Sequence, residues 1–426
     1  AGLFQFGKSA IVLARLGINF EQFKQKLSRY LSKNIMSRGG NPIFDVEVQK
    51  IRLLAYIKAH ENNQRKVDST EVVLALASPD EIGVDKKKDE INEILIDFDI
   101  NYQKMRNVVI WLQIQQQLRD NFSRFRGKAK YKPKSGIDRA MTAIATPILD
   151  QFSDDLTGKA RSGHFFPCIG RKDVFSKLFR IFEGSHKGAL LIGNQGVGRT
   201  TIIQGLAERM VEEDVPDIIK DKRLVSINIP SLLAGADPAM AEERLLHIIG
   251  EVAYSGNIVL AVENLHNLSG ITIGGEGGLD LSEVFAQALA KYNIFTIATT
   301  TPDEYSKAIE NKSLDSVFQP IKIDELELNE AICVLEAKSG PIEYENKVYF
   351  SYTAIEKAAV LSSRYIHDRY LPEKAIEIME QTAIQVKQEK GEKKVVTGED
   401  VSQTISKMTN IPLTKVTEKE GQKLLD

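Results

Sequence analysis

The chain has 426 residues, a formal net charge of -2 and 27% charged side chains, a length suited to about three domains. That balance excludes the basic excess of a dedicated nucleic-acid binder; no stretch of about 18 apolar residues offers a membrane span, and no secretory pattern opens the chain. Cys168 and Cys333 stand far apart and read as reduced thiols of a cytoplasmic protein, neither a bridge nor a metal site.

Residues 1–117 read as all helix. Asn19 is placed to cap a helix with Phe20, Phe23, Leu27 and Leu31 along one face. Asp45 is placed to cap a second, with Val48, Ile51, Leu54 and Ile57 inward. Asp68 or Ser69 caps a third over 72–76, with Glu71 in its first turn. The motif Leu16-Gly17-Ile18-Asn19-Phe20 returns as Phe98-Asp99-Ile100-Asn101-Tyr102, a helical repeat of period roughly 80 whose first copy is incomplete. Residues 118–146 hold basic side chains interleaved with Phe122, Phe125 and Tyr131. The pattern fits an interdomain linker, with a single-stranded nucleic-acid grip as the alternative.

From 147 to 328 strands and helices alternate. Apolar strands are expected at 189–192, 224–229, 258–262, 294–299 and 321–323, with a helix over 242–252, which implies a parallel sheet with ligand at the strand C-terminal ends. Residues 329–409 return to helix, with segments at 354–362 and 372–388, a turn, Val395-Val396, and a last helix opening at Gly398. Residues 410–426 are polar.

The organising stretch is Gly193-Asn194-Gln195-Gly196-Val197-Gly198-Arg199-Thr200, between an apolar strand and Thr201, Ile202 and Ile203. Glycines let backbone N–H groups converge on phosphate oxygens, and the following helix adds partial positive charge. The motif fits G-x-x-x-x-G-K-[ST] except that Arg199 replaces the lysine, a wider, planar cation.

Further segments carry a family resemblance. They include 149–157, Cys168-Ile169-Gly170-Arg171, Asp214-Val215-Pro216, Glu242-Glu243-Arg244-Leu245, 299–305, Phe318-Gln319-Pro320 and 364–375. With the phosphate loop, they resemble the first ATPase module of the Clp-type AAA+ unfoldases. The resemblance implies a five-stranded parallel α/β P-loop domain with flanking helices (147–328). It also implies a small helical lid domain (329–409), a preceding all-α N-terminal domain (1–117), and at 410–426 the lead-in to a second module, so that this is the front of a longer protein.

It also implies function. ATP or ADP with Mg would be held by Ile169, Gly170, Gly193 to Thr201 and Thr300, with Thr200 and Glu263 toward the metal. Partners would be further copies in a hexameric ring, unfolded or tagged protein substrates and a protease ring or adaptor, with neither nucleic acid nor membrane. Four positions depart from the family. Glu263 and Asn264 stand where it has Asp-Glu, and an amide takes no proton from water. Ser316-Val317 stand where it has arginines that reach a neighbour's nucleotide, and Arg364 and Arg369 read as structural. Gly235 to Ala241, without an aromatic, replaces the first pore loop; Gly274 to Gly278 is a flexible second loop. The expectation is a pseudo-ATPase, chaperone-type module that binds nucleotide weakly or not at all, with little hydrolysis. An active unfoldase and a nucleotide-free scaffold are the alternatives.

Overall fold

The computed structural model describes residues 8–18, 20–34, 46–61, 66–78, 95, 97–98, 100–128, 144–166, 168–184, 187–270 and 280–412. The chain divides into two compact units, one of residues 118–330 with 368–373, the other of 1–117 with 331–367 and 374–426.

The first unit is an α/β layer structure. Strands β1 (Ser153–Asp155), β2 (Gly188–Ile192), β3 (Arg223–Ile227), β4 (Ile258–Val262), β5 (Thr296–Thr300) and β6 (Phe318–Lys322) lie in the order β1-β3-β4-β5-β2-β6. The five strands β2 to β6 are parallel, as expected. β1 adds a short antiparallel edge on β3; its three residues, Ser-Asp-Asp, carry no apolar alternation to announce it. Successive side chains of a strand point to opposite faces. Leu190 therefore joins the core beneath Ile248 and Phe285, while Leu191 joins the one beneath Phe175 and Leu206. Both faces are covered, which is why these strands read as continuous apolar runs.

Three boundaries differ from the sequence expectation for local reasons. β3 stops at Ile227 because Asn228 turns to capping, its Oδ1 accepting the Ser231 N–H at 2.9 Å to open the short helix Ile229–Leu233. β5 starts at Thr296, after Ile294 and Phe295. β6 begins at Phe318, three residues early, and accommodates Pro320 because it is an edge strand. The segment 235–241, expected at the first pore-loop position, is drawn into a helix start. Asp237 caps helix Pro238–Ser255 through the Met240 N–H at 2.8 Å, with Pro238 in the first turn. Arg244 donates to Leu232 O and Ala234 O from that helix. Residues 274–278 lie outside the described residues.

The second unit is helical. Helices Lys8–Arg15, Phe20–Asn34, Val46–Glu61, Ser69–Leu76 and Tyr102–Lys128 come from the N-terminal part. Leu328–Asn346, Tyr352–Tyr365, Glu373–Lys390 and Gly398–Thr409 follow, with a two-stranded parallel ladder of β7 (Tyr349–Phe350) and β8 (Val395–Val396). The repeated motif has a physical counterpart: Ile18 N–H donates to Leu13 O at 3.1 Å, and Ile100 N–H to Leu95 O at 3.0 Å. Asp68, not Ser69, is the cap, in a reciprocal capping box with Glu71. Asn19 and Asp45 lie outside the described residues, as do the side chains of Phe20, Leu27 and Leu31.

Helix Val46–Glu61 corrects one expectation. Val48 and Ile57 are exposed, and Ala55, Lys58 and Ala59 are buried instead. Small alanines permit close approach, and the Lys58 ammonium donates to Tyr102 Oη at 3.0 Å, which satisfies its buried head. The last N-terminal helix runs on to Lys128, eleven residues into the basic stretch; residues 129–143 lie outside the described residues.

Within this unit the N-terminal and C-terminal helices share a polar seam. Arg15 forks onto Glu343 at 2.5 and 3.1 Å, donates to Phe350 O, and lies 4.3 Å from the Trp111 ring centroid. Asn107 donates to Tyr352 Oη at 2.8 Å in the interior. Gln115 donates to Glu336 O, while both Glu336 carboxyl oxygens are buried with no hydrogen-bond partner among the described residues. Burial pushes the Glu336 carboxyl well above the usual carboxylate range, because a charge there would have no water to solvate it.

Candidate functional site

At the end of β2 the chain leaves the sheet at Gly193, whose N–H donates to Thr300 O at 3.2 Å. A Cβ at Gly193 would lie 2.9 Å from Ile323 O and 2.9 Å from Val197 Cγ2, so the turn closes only around glycine. Gly196 and Gly198 have φ of +89° and +93°, left-handed values that glycine adopts without strain. Helix Arg199–Glu212 follows at once, with no side chain capping its first N–H groups. Unclaimed N–H groups at a helix start, beside a glycine turn, suit an anion such as phosphate.

Thr200 Oγ1 donates to Glu263 Oε2 at 2.5 Å. A hydroxyl and a carboxylate in contact are oxygen donors of the kind magnesium takes alongside phosphate oxygens and water. Arg199 is half-buried, and its Nη1 has no hydrogen-bond partner among the described residues. Burial pulls its pKa below the usual arginine range while Glu263 raises it. The guanidinium remains a cation, with a donor left over for a ligand.

The turn after β4 is organised by its neighbour β5. Asn264 adopts a left-handed φ of 53° and its N–H donates to Thr299 Oγ1 at 3.0 Å. Its side chain is exposed and, as an amide, has no proton-accepting base to offer. Thr300 Oγ1 instead meets His266 Nδ1 at 3.1 Å. Burial lowers the His266 pKa, Glu304 opposes this, and Arg199 lowers it further; the imidazole is neutral near pH 7. His266 was not singled out from sequence. Its signal was a ring nitrogen two residues past Asn264, between the buried Leu265 and Leu268.

The segment of Ile169 and Gly170 is joined to the loop through its neighbour Arg171. Gly170 has φ +72°, and a Cβ there would sit 3.0 Å from Glu330 Oε1. Arg171 donates from Nη2 to Val197 O at 2.9 Å, tying this segment to the phosphate loop. Cys168 packs on Gly205, and burial pushes its thiol up to about 11, which makes it a packing group rather than a nucleophile.

Asn194 and Gln195 lie within the loop, Gln195 exposed, and Thr201 follows it in the first turn of the helix. Ser316 and Val317 lie elsewhere, before β6. Ser316 Oγ donates to Ser313 O, Val317 packs on the core, and its carbonyl closes on Gly188. Neither position offers a cation. Arg364 belongs to the helical unit, with Nη1 buried and unpartnered among the described residues, and Arg369 is exposed beside Asp368.

Residues 189–320 match the ATPase family associated with various cellular activities (AAA), and residues 327–425 match an AAA lid domain. The chain is 35% identical over 257 residues to the chaperone protein ClpB of Oceanobacillus iheyensis, covering 60% of this chain and 32% of that protein. Residues 189–425 thus match an AAA domain followed by an AAA lid, similar to the modules of Clp chaperones. The same module is 36% identical over 245 residues to the Clp protease ATP-binding subunit ClpC of Staphylococcus aureus, covering 57% of this chain and 30% of that one. Among solved structures, the Hsp104-ADP complex of Saccharomyces cerevisiae aligns with TM-score 0.59 and 30% identity over 65% of this chain and 48% of that chain. An Hsp104 complex with ATPγS and casein aligns with TM-score 0.58. The chain thus spans about a third of the curated relatives it matches. Among the described residues no helix is long and apolar enough to cross a membrane.

Proposed function

We propose that this Clp-type AAA+ module holds ATP or ADP with magnesium but turns it over slowly or not at all, serving ring assembly and the presentation of substrate or adaptor. One contrast carries this reading: the phosphate loop and the Thr200–Glu263 pair are assembled, while Asn264, Ser316 and Val317 supply neither a base nor a cation. Phosphoryl transfer needs a cradle, a metal, a positioned water and charge compensation at the transferred group. When bound, magnesium would supply charge compensation between phosphate oxygens, and Thr200 with Glu263 would hold it. Gly193 to Thr201 would bind and orient the phosphates and Ile169-Gly170 would flank the base, while Thr300 is buried and paired with His266.

A missing base costs ~10²–10⁴ in rate and a missing arginine cation ~10³–10⁵. The losses do not add simply, yet the two smaller figures together would take a turnover of about 1 per second to roughly one per day.

In the whole protein, the partners would be further copies in a hexameric ring, unfolded or tagged proteins, and a protease ring or adaptor. Nucleic acid and membrane have no place in the reading. The test is steady-state ATP hydrolysis by the chain at high concentration. The expected result is no turnover beyond background alongside saturable fluorescent-ADP binding; steady turnover abolished by Thr200→Ala overturns it. A working unfoldase module has one observation in its favour, the close Thr200–Glu263 contact, and that same measurement separates the two. Absence of any nucleotide binding would leave the scaffold reading.

A further inference from the structure

The phosphate loop is faced by a carboxylate that the chemistry above does not use. Residues 368–373 belong to the same compact unit as the sheet, while 331–367 and 374–426 belong to the other. They are fixed there by two contacts. Tyr370 packs against the core that contains Leu191 and Leu206. Leu371 is buried and its N–H donates to Glu325 Oε1 at 2.6 Å. So anchored, the segment delivers Glu373 onto the turn of the phosphate loop. A Cβ at Gly196 would overlap Glu373 Oε2 and lie 3.0 Å from Glu373 Cβ.

Two more carboxylates lie nearby, one on the loop and one on the segment that Arg171 ties to it. Glu263 lies on Thr200, and Glu330 lies beside Gly170. The nearby cations are Arg199, Arg171 and Lys322, the last lining the cavity beside Gly193; Arg171 is already engaged with Val197 O and sits in the field of Glu330. Asp324 and Glu325 also line the cavity beside Gly193 and Asn194, so the cradle offers N–H groups to an anion among mixed charges, of which Glu373 is the one held over Gly196. Repulsion between Glu373 and a bound polyphosphate grows with the ligand's charge and falls with distance and salt.

We propose that Glu373 is a specificity-determining residue: its carboxylate, held over Gly196, weakens the hold of the loop on polyphosphates and penalises a triphosphate more than a diphosphate. The proposal rests on the reading that this loop binds nucleotide. It gives the module a bias toward ADP and a dependence on magnesium, which lowers the effective charge of ATP. It also places that bias on the residue where the chain passes from one compact unit to the other.

The test titrates the full chain, Glu373→Gln, Glu373→Lys and Glu373→Asp with fluorescent ADP and fluorescent ATP, with and without magnesium. Glu373→Gln is expected to tighten ATP about tenfold and ADP less, Glu373→Lys to go further, and Glu373→Asp, which keeps the charge, to gain little. About 1 M salt should close the gaps between variants. A merely structural role would not change the ATP-to-ADP ratio. Measurable binding with equal ratios in all four proteins overturns the proposal and leaves the nucleotide reading standing, as does weaker binding in Glu373→Gln. No binding by any of them up to millimolar nucleotide overturns the nucleotide reading and the proposal together.

Discussion

The ends of β2 and β4 lie in one sheet and face one site, yet they are built from different material. The turn after β2 is made of backbone: glycine conformations, N–H groups and the start of a helix. The turn after β4 is made of side chains, Glu263, Asn264 and His266. A backbone site tolerates exchange of the residues around it, so Arg199 fits where the motif has lysine. The β4 side depends on which side chain stands there: the Asn264 N–H bonds Thr299 Oγ1, while its amide takes no proton from water.

The largest effect comes from giving the β4 side its missing chemistry. Asn264→Glu with Ser316→Arg should raise ATP turnover by ~10² or more over the parent, with each single change giving less than about tenfold. Ser316 is exposed, so the arginine enters without disturbing the core. Coupled-assay rates at high protein concentration read this out, and a double variant as slow as its parent would place the defect elsewhere.

Breaking the β2 side comes next. Gly193→Val forces a side chain against Ile323 O and Val197 and should weaken fluorescent-ADP binding about 100-fold, roughly 2.7 kcal/mol. Overpacking should also lower stability by ~1–3 kcal/mol, read by urea unfolding.

Thr200→Val tests the link between the two ends. It removes one oxygen donor and leaves Glu263 unpaired, so nucleotide binding should lose about tenfold in the presence of magnesium and little in its absence. A titration with and without chelator measures the difference.

The smallest effect is one of pH. His266 has a folded-state pKa below its unfolded value, so its contribution is complete above about 6.5 and is lost as pH falls through the lowered value. His266→Asn should flatten that acid-side loss and cost about 1 kcal/mol at pH 7.5, the worth of the bond to Thr300. Thermal melts across pH 5 to 8 check both signs.

Much of this architecture was legible beforehand, because it is written in patterns that need no partner. Buried parallel strands are apolar along their whole length, so β2 and β4 announce themselves, and a glycine-rich turn followed by a helix has few other uses. Helix Val46–Glu61 shows where periodicity fails, since Ala55 and Ala59 are chosen for close approach rather than hydrophobic mass. The pore-loop position shows the same from another side: Asp237-Pro238 is helix-start chemistry, visible only once the helix that it opens is placed.

The sequence by itself determined the alternation of strands and helices, the phosphate loop, and the residue types missing from its surroundings, because each depends on local backbone preference or on the identity of one side chain. Only the tertiary structure decided that His266 meets Thr300, that Arg171 holds the loop, that Arg15 locks onto Glu343, and that Glu373 lies over Gly196. Those pairs are separated by 26 to 328 positions in the chain. Their meeting is set by how helices and strands pack, and no spacing rule within a single element encodes it.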